Sequence, residues 1–194
     1  MSEIGKGCAA QWVFFLQRSF EFTVPDDYKH EEQLSRFSSL FAKDHKCYNN
    51  NRKEFLTDVD FCRATKRLKP GKKYGAKIFK INAKTISFED CLIFLQKQKA
   101  IFVGAQGLSL IFQLKNDVLP RGIKIASLDK KEALYTRNRR RRIKSRMYYF
   151  PLIDFVADEE ETYEFGWGFD MAFCGNFFNK GYGLLCVQEL EDFY

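Results

Sequence analysis

The hydrophobic period of the chain changes at Pro25. Residues 11–24 are rich in β-branched and aromatic types, and Arg18–Val24 alternates strictly, which predicts a strand ended by the proline. Pro25-Asp26-Asp27 then predicts a helix start, with Asp26 as N-cap and the acids favourable to a helix N-terminus. Leu34, Phe37, Leu40 and Phe41 form its buried stripe, and Asn49-Asn50-Asn51 stops it.

The same two periods recur downstream. Tyr74–Ala83 reads as a strand, and Ser87-Phe88-Glu89-Asp90 opens a helix with Phe88, Cys91, Leu92 and Leu95 at helical spacing. Ile101–Leu114 reads as strand material broken at Gly104 and Gly107, and Ile123–Leu128 as a short strand. Residues 129–146 read as a basic helix or arm, 147–156 as a strand and 158–164 as an acidic loop. Two further strands are expected within 163–174 and 182–190. With no internal repeat and no low-complexity linker, residues 1–194 are expected to form a single α+β domain, its strands partly antiparallel. Within it, 158–194 is an acidic, aromatic and glycine-rich C-terminal segment.

Composition removes several classes. At 45% hydrophobic and 29% charged residues, neither wholesale disorder nor a fibrous repeat is expected. The longest apolar runs, such as Trp12–Leu16, fall far short of the roughly 18 residues that cross a bilayer, and no secretory signal opens the chain. Cys8, Cys47, Cys62, Cys91, Cys174 and Cys186 are dispersed, with no C-x-x-C pair, which suits neither a zinc site nor a disulfide framework. Reduced, mostly buried thiols in a cytoplasmic protein are expected, with no metal, no cofactor and no membrane partner.

Charge is segregated. Residues 1–120 carry a net +7, residues 121–146 a net +9, and residues 147–194 a net −9, with Lys180 the one cation of that last segment. The positive band peaks at Arg137, Arg139, Arg140, Arg141, Arg142, Lys144 and Arg146, seven cations in ten positions. The guanidinium fork matches phosphate oxygens in bidentate fashion, so a polyphosphate backbone is the natural counter-charge. Tyr135, Tyr148 and Tyr149 flank the run and could stack on unpaired bases. The competing reading is that the run folds against the chain's own acids at Asp158–Glu164. Arg63, Lys66, Arg67, Lys69, Lys72 and Lys73 make a second basic group around the Pro70-Gly71 turn. Together the two groups suggest an extended groove for single-stranded or hairpin RNA, alone or within a larger ribonucleoprotein or protein complex.

His30, Leu34, Phe37, Phe41 and His45 follow one another at steps of 4, 3, 4 and 4, which puts both imidazoles on the apolar helix face. Either is a candidate general acid or base for an RNA 2′-hydroxyl, His45 the better placed because Lys43, Lys46, Arg52 and Lys53 surround it. The alternative is that both are packed and hydrogen-bonded residues of the helix fringe. In the tail, Gly175, Gly181 and Gly183 with Asn179-Lys180 permit close backbone approach to a ligand. No Gly-Lys-Ser/Thr ending follows, and a strand rather than a helix comes next, which excludes a P-loop and a dinucleotide fingerprint.

Gly175, then a polar interval, then Gly181-Tyr182-Gly183-Leu184-Leu185 resembles the C-terminal glycine-rich loop of the repeat-associated RNA-binding (RAMP) proteins of CRISPR systems, in particular the endonucleases that cut CRISPR repeat RNA. The resemblance implies a ferredoxin-like βαββαβ fold and metal-independent cleavage through the 2′-hydroxyl, with the product retained. It also implies catalytic roles for His30 or His45 and for Tyr182, and RNA contacts from Lys180, Gly181, Gly183 and an arginine-rich helix. A reading of a different class, a small adaptor or inhibitor of a protein partner, draws on the aromatic tail, including Phe155, Tyr163, Trp167 and Phe177.

Overall fold

The computed structural model describes residues 13–44, 58, 65–130, 135–138, 146–156, 166–173 and 178–190. Strand β1 (Phe14–Thr23) is followed by a 3₁₀ turn (His30–Glu32) and helix α1 (Gln33–Asp44), then β2 (Lys73–Ile81), α2 (Phe88–Lys97) and α3 (Gly104–Lys115). The remaining elements are all strands: β3 (Lys124–Ala126), β4 (Tyr135–Asn138), β5 (Arg146–Val156), β6 (Gly166–Phe173) and β7 (Tyr182–Glu189).

The seven strands form one mixed sheet in the order β1-β2-β7-β3-β5-β4, with β6 also paired to β5. The α+β class holds, and the strand order differs from the ferredoxin-like expectation. That fold needs a strand between the two that flank its first helix. Here β1 and β2 pair directly and antiparallel from Phe14↔Ile81 to Thr23↔Lys73. Among the described strand pairs only β3 and β7 run parallel, through Lys124↔Tyr182 to Ala126↔Leu184.

Helices cover both faces. Tyr74, Ala76 and Ile78 of β2 with Leu185 and Val187 of β7 pack against Leu34 and Phe37 of α1 and Leu108, Ile111 and Phe112 of α3. On the opposite face Phe79, Ile81, Leu184 and Cys186 meet Phe88, Cys91 and Leu95 of α2, together with Phe150 and Phe178. Strand β1 serves both cores because the register shifts between Leu16 and Arg18. One extra residue reverses the side-chain alternation. Phe14 therefore points to the α2 side and stacks on Phe94 at 3.9 Å, while Phe22 points to the α1–α3 side and stacks on Tyr74 at 5.8 Å.

Helix α2 begins where the sequence places it. Ser87 Oγ accepts the Asp90 backbone N–H at 3.1 Å, and Phe88, Cys91 and Leu95 are buried. Two other expectations are corrected. Residues 101–114 are not strand material: Gly104–Lys115 is helix α3, and Gly104 through Phe112 are all buried. Over Gly104–Phe112 no exposed polar face marks the helical period, so the composition mimics a buried strand. Residues 129–146 are not one helix or arm, since 135–138 form β4 and Arg146 opens β5. The acidic loop 158–164 lies outside the described residues. Among those described, no helix is long and apolar enough to cross a membrane.

Candidate nucleic-acid interface

Strands β4 and β5 pair antiparallel as Tyr135↔Tyr149, Thr136↔Tyr148, Arg137↔Met147 and Asn138↔Arg146. The arginine-rich stretch is thus bracketed by one ladder: Arg137 and Arg146 lie on it, and the residues joining the two strands are 139–145. Arg139, Arg140, Arg141, Arg142 and Lys144 lie outside the described residues, and of Arg137, Arg146 and Tyr148 the backbone alone is described.

Register relates this ladder to the second basic group. Ile125 of β3 faces both Gly183 of β7 and Ile153 of β5, and Gly183 faces Lys80 of β2. Six residues onward in β7, Glu189 faces Tyr74 of β2; six residues back in β5, Met147 faces Arg137. Tyr74, Glu189, Met147 and Arg137 therefore stand at one end of the sheet. Lys66, Arg67, Lys69, Lys72 and Lys73 lie before or at the start of β2, so they belong to that end too.

The second group is largely matched by the chain's own acids. Glu189 takes Lys66 at 2.9 Å and Lys72 at 3.0 Å, Glu31 takes Arg67, and Glu21 takes Lys73. Hydrogen bonds from the two lysines hold the Glu189 carboxyl down at about 2. All of these groups are at least a quarter exposed, so the pairs remain open to exchange with another polyanion.

The glycine-rich motif lies elsewhere. Asn179-Lys180-Gly181-Tyr182 is a turn closed by the Tyr182 N–H on the Asn179 carbonyl at 3.0 Å. It sits at the start of β7, and the eight residues of that strand separate it from the cationic end by roughly 25 Å at the strand rise. Gly183 is a packing position: a Cβ there would lie 2.7 Å from Ile123 Cδ1 and 3.1 Å from Ile78 Cγ2. Tyr182 meets the Phe178 ring edge-on at 5.1 Å. The structure therefore does not bring Lys180, Gly181, Tyr182 and Gly183 together with the basic groups. Gly175 is outside the described residues.

His30 is at the cationic end, in the 3₁₀ turn before α1, and only 5% exposed. Its Nδ1 shares a 3.0 Å hydrogen bond with the Tyr28 hydroxyl, and its Nε2 is buried without a hydrogen-bond partner among the described residues. Burial, and then the charge of Arg67, push its pKa below the usual value, so the imidazole is neutral. Burial also raises the Tyr28 phenol, which keeps its proton. His45 lies outside the described residues.

Sequence reasoning missed a polar seam beneath this histidine. Asp58 accepts the backbone N–H groups of Leu34 at 2.9 Å and Ser35 at 3.0 Å, capping α1 from 24 residues away. The Asp26 cap expected from sequence is displaced accordingly. Gln33 Nε2 donates to Ser109 Oγ at 3.3 Å and to Gln113 Oε1 at 3.0 Å across the α1–α3 contact. Gln106, Ser109 and Gln113 recur at steps of three and four, a polar stripe that shows only once 104–115 is recognised as helical. Outside this seam a cleft of about 490 Å³ opens between the helices, walled by Pro25, Tyr28, Leu110 and Leu114 and edged by Gln33, Arg36 and Gln113 among others.

Among the described residues, no group of three or more His, Cys, Asp or Glu could hold a metal ion. No protein-family model, curated protein or solved structure matches the chain.

Proposed function

We propose that the chain binds nucleic acid, RNA in the first place, across the end of the sheet formed by the start of β5, the end of β4 and the start of β2. The observation that carries this reading is the register, which gathers two basic groups some 70 residues apart in sequence at one sheet end. Arginine in the 137–146 stretch supplies forks for phosphate, and the lysines held by Glu189 form a reserve that a polyanion can recruit. The finer reading, metal-independent cleavage of a CRISPR repeat RNA with product retention, assigns the proton transfer to His45 or His30 and keeps the RAMP resemblance as its basis.

The test is a titration of labelled single-stranded and hairpin RNA at several salt concentrations. Binding should weaken steeply with salt, because each neutralised phosphate releases counterions. Replacing Arg139, Arg140, Arg141 and Arg142 by serine should remove it. No complex at low salt with micromolar protein overturns the proposal. Cleavage surviving in the His30→Ala/His45→Ala chain refutes histidine catalysis alone.

A protein-binding adaptor is the second reading, favoured by one observation. Among the described strands β1 lies at the sheet edge, and on it Phe15 is 44% and Leu16 55% exposed. Capture of a partner that survives nuclease treatment, with no RNA shift, would favour it.

A further inference from the structure

We infer that the cleft between α1 and α3 binds a neutral planar heterocycle with an amide-type edge, the chemistry of a nucleobase, whether as a free nucleoside or as an unstacked base of a strand. Gln33 is only 4% exposed. Ser109 donates its hydroxyl proton to the Gln106 carbonyl at 2.9 Å, so its oxygen is an acceptor towards Gln33. This fixes the Gln33 amide with nitrogen towards Ser109, and both its N–H groups are then spent, on Ser109 and on the Gln113 carbonyl. Left over among the described residues are the Gln33 Oε1 acceptor and the Gln113 Nε2 donors, and both residues line the cleft. An acceptor and a donor on two hydrogen-bonded amides offer the pattern that a base edge answers, as the oxygen and nitrogen of a single Asn or Gln amide do for adenine.

Shape and charge agree. At about 490 Å³ the cleft is within the range of small-ligand sites. Pro25, Tyr28, Leu110 and Leu114 supply its apolar lining, Leu114 being 37% exposed. Arg36, the one cation lining it among the described residues, is held by Asp27 at 3.1 Å and by Glu32 at 3.7 Å. With its charge answered on both sides, the cleft offers no surplus for a phosphate or carboxylate, and a neutral ligand is preferred. This inference does not depend on the RNA reading, since the free nucleoside is an occupant in its own right.

The experiment titrates adenosine, guanosine, cytidine and uridine separately into the full chain, with ribose 5-phosphate as control, following thermal stability and chemical shifts. At least one nucleoside should stabilise the protein at millimolar concentration and the sugar phosphate should not. Gln113→Ala, at an exposed position, removes the Nε2 donor and releases the Gln33 amide, and should weaken that nucleoside at least about fivefold, the worth of one hydrogen bond. Leu114→Asp, which places a charge at the mouth, should abolish it. The serine variant of Arg139, Arg140, Arg141 and Arg142 should keep nucleoside binding, so that loss of RNA binding and loss of the cleft are read separately. Competition by stoichiometric RNA identifies the occupant as a base of the strand, and lack of competition identifies a free nucleoside. No response to any nucleoside, an equal response to ribose 5-phosphate, or undiminished affinity in both cleft variants overturns the inference.

Discussion

Asp58 binds Ser35 twice through one carboxylate oxygen, accepting the backbone N–H at 3.0 Å and the hydroxyl at 2.9 Å. Its other oxygen takes the Leu34 N–H at 2.9 Å and lies 3.5 Å from the Gln106 amide. The first turn of α1 thus has its donors answered by a group remote in sequence, itself 8% exposed. Asp58→Ala strands several buried donors, and a loss of about 2 kcal/mol is expected. Asp58→Asn, which retains one accepting oxygen, should recover part of it. Urea unfolding midpoints check this; a midpoint unchanged in Asp58→Ala would show that the cap contributes nothing.

Glu189 is the residue on which the two basic groups can be distinguished. It neutralises Lys66 and Lys72, and its carboxyl sits at about 2 against an ordinary 4.5. A carboxyl lowered on folding contributes stability above its unfolded pKa and loses it as pH falls through the folded value. These pairs therefore persist at pH 5 and weaken only well below 4.5. Glu189→Gln removes this carboxylate from Lys66 and Lys72 at every pH. RNA affinity should rise, and the slope of log affinity against log salt should steepen by up to about 1.5, the share of two added phosphate contacts. An unchanged slope would place the strand's path away from this patch.

His30 gives the chain a pH dependence near neutrality. Its folded pKa lies below the unfolded 6.5, with burial the larger cause and Arg67 the next. The unfolded chain therefore binds the proton more readily, and stability falls as pH drops from about 6.5 towards the folded value, then levels off. Thermal unfolding between pH 7.5 and 5 should show this decline in the wild type and a flatter course in His30→Gln. Identical profiles would mean that the imidazole takes up its proton without cost in the fold.

What could be read from the sequence divides by distance along the chain. The α2 start was legible because its cap, Ser87, and its partner, the Asp90 N–H, are three residues apart. The α1 start was not, since the carboxylate that sets it is Asp58 rather than the neighbouring Asp26. Strand β1 was legible from alternation, but the shift between Leu16 and Arg18 that lets it serve two cores leaves no local signal. Helix α3 failed because Gly104–Phe112 has no exposed polar face, and with it went the stripe of Gln106, Ser109 and Gln113. Of the candidate site, the basic residues were visible as composition. Their gathering at one end of the sheet, and the separation of Lys180–Gly183 from them, follow from strand register, which a single sequence does not print.

The cysteines offer a test of core integrity independent of RNA. Cys91 and Cys186 are buried free thiols on the α2 side of the sheet, and burial pushes them to about 12 and about 11. The thiolate is the reacting species, so both should resist iodoacetamide at pH 8 in the native chain and react once it is unfolded in urea. Peptide mapping after timed alkylation reads each site. Rapid labelling of either under native conditions would show that the helix α2 layer opens freely.

Gly183 separates a packing role from a ligand role. It lies within β7 between Lys80 of β2 and Ile125 of β3, and an added Cβ would come 2.7 Å from Ile123 Cδ1 and 3.1 Å from Ile78 Cγ2. The Ile123 methyl can swing aside, but the Ile78 branch is fixed close to its own backbone, so the strain is only partly relieved. Gly183→Ala should therefore cost about 1–3 kcal/mol, as overpacked cores do. Because the residue is remote from the cationic end, the surviving folded protein should bind RNA with unchanged affinity and salt slope. A chain that keeps its stability but loses RNA would instead make Gly183 a contact residue and move the interface to the start of β7.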